Sequence, residues 1–266
     1  MGGTKEAQRP VHDRALLLHG SKRNEVLTLD EVEQYGRDSF GDPEYVSIHE
    51  MLPAEWYGRG IRLLGRTAVE CTRDRLADLM GRDLASAVRR RSAVPGVVVV
   101  DPFAGSCNTL DWIVRHLPGS EGIGFELDAQ VHELTRRNLE ILERPIALHR
   151  GDYRTLLGML PVPVDRGLVV FVAPPWGTAL DESTGLDLRR TTPPVAEILS
   201  HLFGRYPTHR LLFGVQVYER VEPESLEEIR AVLESSELQV YRINREGRNH
   251  GLLVGSRGWP EAVTTR

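Results

Sequence analysis

Short apolar runs alternate with amphipathic stretches along the C-terminal two-thirds of the chain. The runs lie at 97–100, 122–125, 146–148, 168–172 and 211–215, and helical spacing of apolar residues occurs at 108–116, 129–142 and 225–233. Strands that alternate with helices in this way predict right-handed βαβ units and a doubly wound, parallel sheet. Two further stretches, 238–243 and 250–254, flank a Gly-containing turn and predict an antiparallel hairpin that closes the sheet.

The N-terminal third has a different pattern, and Pro95-Gly96 separates it from the sheet-forming part. Residues 1–14 are polar and predict a disordered tail, residues 15–94 a helical appendage, and residues 95–260 the main α/β domain. Within the appendage, Thr28 is expected to cap a short helix, and Thr72 a helix that runs to about Met80, before another helix at 83–91. The segment 40–60 is rich in glycine, proline and aromatic residues, which suits either a substrate lid or ordinary surface packing.

The composition narrows the possible partners. A net charge of −5 argues against bulk electrostatic binding of a long polyanion, and the clustered arginines are expected on solvated faces. No apolar run reaches the roughly 18 residues of a membrane span, and the polar N-terminus lacks a signal-peptide core, so we expect a cytoplasmic protein without membrane contact. Cys71 and Cys107 are too few for a disulfide framework or a zinc cage, and no metal site is expected. We expect His49, His201 and His250 to be packing or surface residues.

Three acidic residues follow three successive predicted strands. Asp101 opens the stretch Asp-Pro-Phe-Ala-Gly-Ser-Cys-Asn-Thr at 101–109, Glu126 ends the second strand, and Asp152 follows the third. The small residues of the first loop let the backbone approach a ligand. An acid after the second strand reaches ribose hydroxyls in nucleotide-binding α/β folds, and an acid after the third can accept from an adenine amino group. A dinucleotide fold stays open, although Gly105 alone of its glycine pattern is present.

The stretch Val-Ala-Pro-Pro-Trp-Gly at 172–177 follows the most apolar run. Two consecutive prolines allow neither a helix nor ladder hydrogen bonds, so the chain must turn out of the sheet at the edge where ligands bind. Trp176 would then offer a planar surface beside the backbone carbonyls of Ala173 and Pro174. A tryptophan that packs in the core is the alternative interpretation.

These motifs resemble those of class I S-adenosylmethionine-dependent methyltransferases, and most of all the trimethylguanosine synthase group, which methylates N2 of guanine in RNA caps. The resemblance covers roughly residues 60–255 and includes Gly-Ile-Arg-Leu at 60–63 and Leu-Asp-Leu at 186–188. It implies a Rossmann-like α/β fold with a seven-stranded, mostly parallel sheet and a C-terminal antiparallel hairpin. It also implies S-adenosylmethionine as the cofactor and S-adenosylhomocysteine as its product.

The resemblance further implies a role for each matching residue. The methionine end of the cofactor would contact Asp101, Phe103, Ala104, Gly105, Asn108 and Thr109. The ribose would contact Glu126, and the adenine would contact Leu127 and Asp152, next to Tyr153. Thr72 would close over the cofactor. Trp176, together with Ala173, Pro174 and Pro175, would stack the base that is methylated.

The residue before Pro-Pro differs from the pattern of many amino-methyltransferases, which carry Asp, Asn or Ser there. Ala173 offers no side-chain acceptor, which weakens the case for an exocyclic amine and admits a ring nitrogen or ring carbon. We therefore expect a methyltransferase that acts on a planar heteroaromatic small molecule, such as a nucleobase-like or indole-like metabolite. Two alternatives stay open: guanine-N2 methylation of a cap-like RNA, and a non-catalytic protein that binds a nucleotide or a partner.

Overall fold

A seven-stranded sheet forms the centre of the protein in a computed structural model that describes residues 11–181, 183–243 and 249–262. Its strands are β1 (Val97–Asp101), β2 (Glu121–Glu126), β3 (Ile146–Arg150), β4 (Gly167–Val172), β7 (Arg210–Tyr218), β8 (Ser235–Tyr241) and β9 (His250–Arg257), and β5 (Leu180–Asp181) with β6 (Gly185–Leu186) forms a separate pair. The helices are α1 (Arg14–Leu18), α2 (Leu29–Phe40), α3 (Pro53–Gly58), α4 (Gly65–Glu70), α5 (Asp74–Arg89), α6 (Asn108–His116), α7 (Ala129–Ile141), α8 (Tyr153–Leu156), α9 (Val195–Arg205) and α10 (Pro223–Ala231). In the part of the chain that is described, none of these helices is long and apolar enough to cross a membrane.

The strand order is β3-β2-β1-β4-β7-β9-β8, with β1 to β4 and β7 parallel and β9 antiparallel to both β7 and β8. This order confirms the predicted α/β, doubly wound, Rossmann-like sheet with a reversed last pair. The strand order reverses between β1 and β4, where open α/β sheets bind ligands. The glycine of the predicted hairpin turn lies outside the described residues.

The central strands are mainly apolar because both of their faces are covered. In β1, Val98 and Val100 pack on the side of α8, α9 and α10, whereas Val97 and Val99 pack on the side of α5 and α6. Successive side chains of a strand point to opposite faces, so a strand buried on both sides needs a continuous apolar run. The two resulting cores hold the carboxyl ends of the parallel strands in a fixed arrangement.

The appendage has a core of its own, which includes Leu17, Val32, Trp56 and Ile61, all buried. The predicted cap at Thr28 is confirmed: its hydroxyl oxygen accepts from Glu31 N–H, and the Glu31 carboxylate accepts from Thr28 N–H, so each satisfies a free donor. The chain is described from residue 11, and the first helix begins at Arg14, inside the segment predicted as a disordered tail.

The two predicted helices after Thr72 are one helix, α5, and its N-cap is Arg73 rather than Thr72. The prediction of a break near residue 81 was wrong because Gly81 serves packing between helices. A Cβ at Gly81 would lie 3.0 Å from the carbonyl oxygen of Trp112 and 2.8 Å from the ring of His116, both on α6. The glycine therefore lets α5 cross α6 closely, and it lies within a continuous helix.

Candidate functional site

The acidic residues singled out in the sequence lie along one edge of the sheet. Asp101 and Glu126 are the last residues of β1 and β2, and Asp152 follows β3 as the N-cap of α8. Trp176 follows β4, the neighbour of β1 on the other side. The structure thus brings both predicted groups to the carboxyl ends of neighbouring parallel strands, on either side of the point where the strand order reverses.

The loop after β1 is held by the two acids beside it. Asp101 Oδ1 accepts from Phe103 N–H at 2.9 Å, and Glu126 Oε2 accepts from Gly105 N–H at 3.1 Å. Gly105 and Cys107 both have positive φ, 49° and 60°, so the loop turns sharply twice before α6 begins. Ala104 and Thr109 are buried in this turn. The loop shape is therefore fixed by carboxylate-to-backbone hydrogen bonds.

The electrostatics of this corner favour a cationic ligand. Burial, with a further contribution from the charge of Glu126, raises the pKa of Asp101 to about 7, and burial also raises the pKa of Glu126. Carboxylates that are shielded from water at adjacent strand ends, such as the buried Asp101 and the half-buried Glu126, are stabilised in their ionised form by a nearby positive charge or by hydroxyl donors. The corner can thus bind an ammonium or sulfonium group together with hydroxyl groups.

The Asn108 side chain, predicted at the methionine end, joins the appendage to the start of α6. Its Oδ1 accepts from His49 N–H at 2.7 Å, and its Nδ2 donates to the carbonyl oxygen of Thr72 at 2.7 Å. Asn108 is 1% exposed, so both bonds are shielded from water. The amide fixes the position of Thr72 at the cofactor loop and of the 40–60 segment on α6.

The three residues predicted near the adenine are placed differently. The Asp152 carboxylate accepts from Arg154 Nε at 3.0 Å through both oxygens, and these hydrogen bonds lower the pKa of Asp152. The Tyr153 ring is buried and lies edge-on to Phe103, with 5.3 Å between ring centroids. Leu127 is 72% exposed, which leaves a large apolar side chain in solvent next to Glu126. Among these three residues, Leu127 has an exposed apolar side chain, which is the kind of surface on which the resemblance places the adenine ring.

The predicted platform at 173–176 has further aromatic neighbours. Trp176 is half-buried and packs against the ring of Tyr218 at 6.4 Å and that of His250 at 5.1 Å, with an angle of 34° between the Trp176 and His250 planes. Because β9 runs antiparallel to β7, His250 at the start of β9 pairs with Tyr218 at the end of β7. The antiparallel strand β9 therefore places His250 at the same edge of the sheet as Trp176.

Gln216 connects this platform to Thr72, the residue that the resemblance places over the cofactor. Its Oε1 accepts from Thr72 Oγ1 at 3.1 Å, and its Nε2 donates to His250 Nδ1 at 2.9 Å. Gln216, Tyr218 and the position of His250 at the site were missed from the sequence. One signal was present: Gln216 is a polar residue inside the apolar run of β7, and a buried polar side chain needs a partner.

The aromatic residues of the 40–60 segment belong mainly to the appendage. Trp56 is buried and donates its indole N–H to the carbonyl oxygen of Val46, and Tyr45 stacks on Phe40. The guanidinium of Arg73 lies 4.1 Å from the centroid of the Tyr45 ring. Tyr45 thus reaches the residue after Thr72 and links the segment to the site.

Comparison with known proteins gave structural similarities alone, since no protein-family model and no curated protein matches the chain. The similar solved structures include a precorrin-6y C5,15-methyltransferase from Geobacter metallireducens (12% identity, 70% of this chain and 89% of that chain covered, TM-score 0.44). They also include an rRNA methylase from Streptococcus thermophilus (16%, 66% and 94%, TM-score 0.43) and a precorrin 8W decarboxylase from Methanobacterium thermoautotrophicum (13%, 70% and 91%, TM-score 0.43). Similarities at this level concern the fold and identify neither a reaction nor a substrate.

Proposed function

We propose that the protein is an S-adenosylmethionine-dependent methyltransferase whose acceptor is a planar heteroaromatic small molecule. The observation that carries this proposal is the juxtaposition, at neighbouring strand ends, of the buried carboxyl group of Asp101, the half-buried one of Glu126 and a half-buried tryptophan. The first group suits a ligand with positive charge and ribose hydroxyls, and the second suits a flat acceptor.

The residues around the loop after β1 fit this cofactor. Asp101 and the backbone at Gly105 would hold its methionine end, Glu126 its ribose hydroxyls, and Leu127 its adenine face, with Asp152 near the amino group. When bound, S-adenosylmethionine supplies an activated methyl group on a sulfonium. The carboxylates of Asp101 and Glu126 would keep that positively charged ligand in one orientation.

On the acceptor side, Trp176 would stack the substrate ring, and the carbonyl oxygens of Ala173 and Pro174 would orient its edge. A neutral ring nitrogen needs alignment rather than a strong base, so positioning accounts for most of the rate. Ala173 has no side-chain acceptor for an exocyclic amino group, which supports a ring nitrogen or ring carbon as the target.

RNA is a second candidate acceptor, and the charges beside the platform favour it. Arg73 and Arg14 lie near enough to His250 for their positive charges to lower its pKa. Guanidinium groups at a stacking platform suit a nucleotide with its phosphate. Affinity for a short capped RNA that falls steeply with salt would support this candidate over a small molecule.

Titration calorimetry with S-adenosylmethionine and S-adenosylhomocysteine tests the proposal. We expect both to bind, and Glu126→Gln to weaken S-adenosylhomocysteine about tenfold because a charge-assisted hydrogen bond to the ribose is lost. Glu121→Gln is the matched control, because Glu121 begins the same strand at the opposite edge of the sheet. If neither compound binds the wild-type protein, the enzyme function is wrong and a non-catalytic role takes its place.

A further inference from the structure

Four side chains from four parts of the chain form a continuous path across the site. The path runs from Thr72, before α5, to Gln216 on β7, then to His250 on β9, and ends at Trp176 after β4. The first two links are hydrogen bonds of 3.1 Å and 2.9 Å, and the last is a ring contact of 5.1 Å between centroids. The path joins Thr72, which the resemblance places over the cofactor, to Trp176, which it places against the substrate.

The orientation of the Gln216 amide determines which atoms of its two neighbours donate and which accept. Its oxygen accepts from the Thr72 hydroxyl, so its NH₂ group faces His250, and Nδ1 of the imidazole must accept. A neutral imidazole that accepts at Nδ1 carries its proton on Nε2. Gln216 therefore selects the tautomer of His250 and leaves it one N–H to donate.

The surroundings keep this imidazole neutral. Burial lowers the pKa of His250 to about 4, and the positive charges of Arg73 and Arg14 act in the same direction, while Glu219 acts in the opposite one. A neutral donor suits methyl transfer, because methylation of a neutral ring nitrogen leaves positive charge on the substrate. An imidazolium at the same place would repel that charge.

We propose that His250, oriented by Gln216, donates its Nε2–H to an in-plane acceptor of the ring that stacks on Trp176. The acceptor is a carbonyl oxygen or a pyridine-type nitrogen other than the atom that is methylated. The site then selects heteroaromatic rings that carry such an acceptor over rings that carry N–H donors alone. This inference rests on the proposed function for the location of the substrate, and it assigns His250 to specificity and Gln216 to positioning.

Two bicyclic probes of similar size separate this role from simple packing. Quinoline has an in-plane ring nitrogen that accepts, whereas indole has an N–H group and no comparable acceptor. We expect His250→Phe, which keeps an aromatic ring against Trp176, to weaken quinoline about fivefold to tenfold while indole affinity stays unchanged, as measured by titration calorimetry. Equal effects on the two probes, no effect on either, or a wild-type protein that binds neither probe would overturn the proposal.

The positioning role of Gln216 has a spectroscopic test that does not depend on any ligand. In the wild-type protein, ¹⁵N chemical shifts of His250 should show the Nε2–H tautomer at neutral pH. Gln216→Glu places an acceptor against Nδ1 and should change the protonation of the ring. A shift to the neutral Nδ1–H tautomer should abolish the quinoline preference, whereas an imidazolium keeps Nε2–H and should keep the preference. A wild-type Nδ1–H tautomer, or an unchanged spectrum in Gln216→Glu, would overturn the assignment.

The outcomes distinguish this inference from the proposed function. Normal binding of S-adenosylhomocysteine without quinoline selectivity would leave the methyltransferase proposal intact and remove the role of His250. Selectivity for quinoline without any binding of S-adenosylmethionine or S-adenosylhomocysteine would keep the role of His250 in a ring-binding site and remove the methyltransferase proposal.

Discussion

The two halves of the sheet edge are built in different ways. In the half proposed to bind the cofactor, called the cofactor half below, Asp101 accepts from Phe103 N–H, and Glu126 accepts from the N–H groups of Gly105 and Asp128. In the acceptor half, Trp176 contacts Tyr218 and His250, which come from distant strands, and a side-chain path through Gln216 orients the histidine. One half is organised by hydrogen bonds from carboxylates to the backbone near the ends of two adjacent strands, and the other by contacts between side chains of distant strands.

This difference separates two kinds of recognition. Carboxylates at fixed strand ends select charge and hydroxyl groups, and they need little from the rest of the chain. A flat platform selects shape, and it gains chemical selectivity from donors that distant elements supply. The appendage touches both halves, through Asn108 in the first and Thr72 in the second.

The largest effect should come from the contact between the appendage and the cofactor half. Asn108→Ala removes two buried hydrogen bonds and leaves His49 N–H and the Thr72 carbonyl oxygen without those partners. We expect a loss of about 2–4 kcal/mol in the free energy of unfolding, measured by urea denaturation, and weaker binding of S-adenosylhomocysteine.

Asn138→Ala is the control for that variant, because Asn138 makes the same pair of bonds to the backbone of Arg62, away from the loop after β1. It should cost similar stability without changing the affinity for S-adenosylhomocysteine. An equal loss of affinity in both variants would show that the appendage acts on the cofactor half only through overall stability.

The second prediction tests the electrostatics of the cofactor half. Asp101 has a folded-state pKa of about 7 against an ordinary value of 3.8, so between these values the folded protein holds a proton that the unfolded chain has lost. This group therefore makes stability fall as pH rises from 4 to 7. Between pH 5 and pH 7 its contribution should amount to about 2–3 kcal/mol, and Asp101→Asn should remove that part of the pH dependence.

Denaturation of Asp101→Asn and wild type across this pH range measures the difference. The Asn side chain keeps an oxygen for the Phe103 N–H, so the loop contact persists. Asp152 provides a control of opposite sign, because its pKa is lowered and its stabilisation is lost only as the pH falls into the acid range. Parallel pH profiles for Asp101→Asn and wild type would contradict the raised pKa.

The same contrast explains what could be predicted from the sequence. The placement of the three acids at one edge of the sheet could be predicted, because each acid follows an apolar run that predicts a buried strand, and parallel strand ends meet at one edge. The same runs, together with the helices between them, predict the parallel sheet and its antiparallel hairpin, but they do not predict the order of the strands. The single helix α5 was not predicted, because Gly81 serves a helix crossing that one sequence cannot show.

The acceptor half could be predicted only as far as Trp176. The sequence predicts a packing or surface role for His250, because nothing local distinguishes a histidine at the start of an edge hairpin. Its position follows from the antiparallel pairing of β9 with β7, which sets Tyr218 opposite His250. Pairings between distant strands depend on register, and register is fixed by the whole folded sheet.

The third prediction concerns the platform itself. Trp176→Ala should weaken the binding of planar compounds such as quinoline about tenfold, because base-sized rings gain roughly 1–3 kcal/mol from stacking on an aromatic side chain. Binding of S-adenosylhomocysteine should stay unchanged, since Trp176 belongs to the other half of the edge. Trp176→Phe should recover most of the affinity. Unchanged quinoline affinity in a folded Trp176→Ala variant would show that Trp176 is a packing residue and does not stack the ligand.

The smallest expected effect concerns the predicted contact between Asp152 and the adenine amino group. If the Asp152 carboxylate accepts from the adenine amino group, Asp152→Ala should weaken S-adenosylhomocysteine about threefold to fivefold, a modest loss because the carboxylate is partly exposed and shared with Arg154. S-inosylhomocysteine, which has a carbonyl oxygen in place of that amino group, should bind the variant and the wild type equally. Arg154→Gln keeps the carboxylate and should preserve the preference for the adenine compound. If Asp152→Ala weakens both compounds alike, Asp152 supports the start of α8 rather than reading the adenine, and Leu127 would then be the contact to the ring.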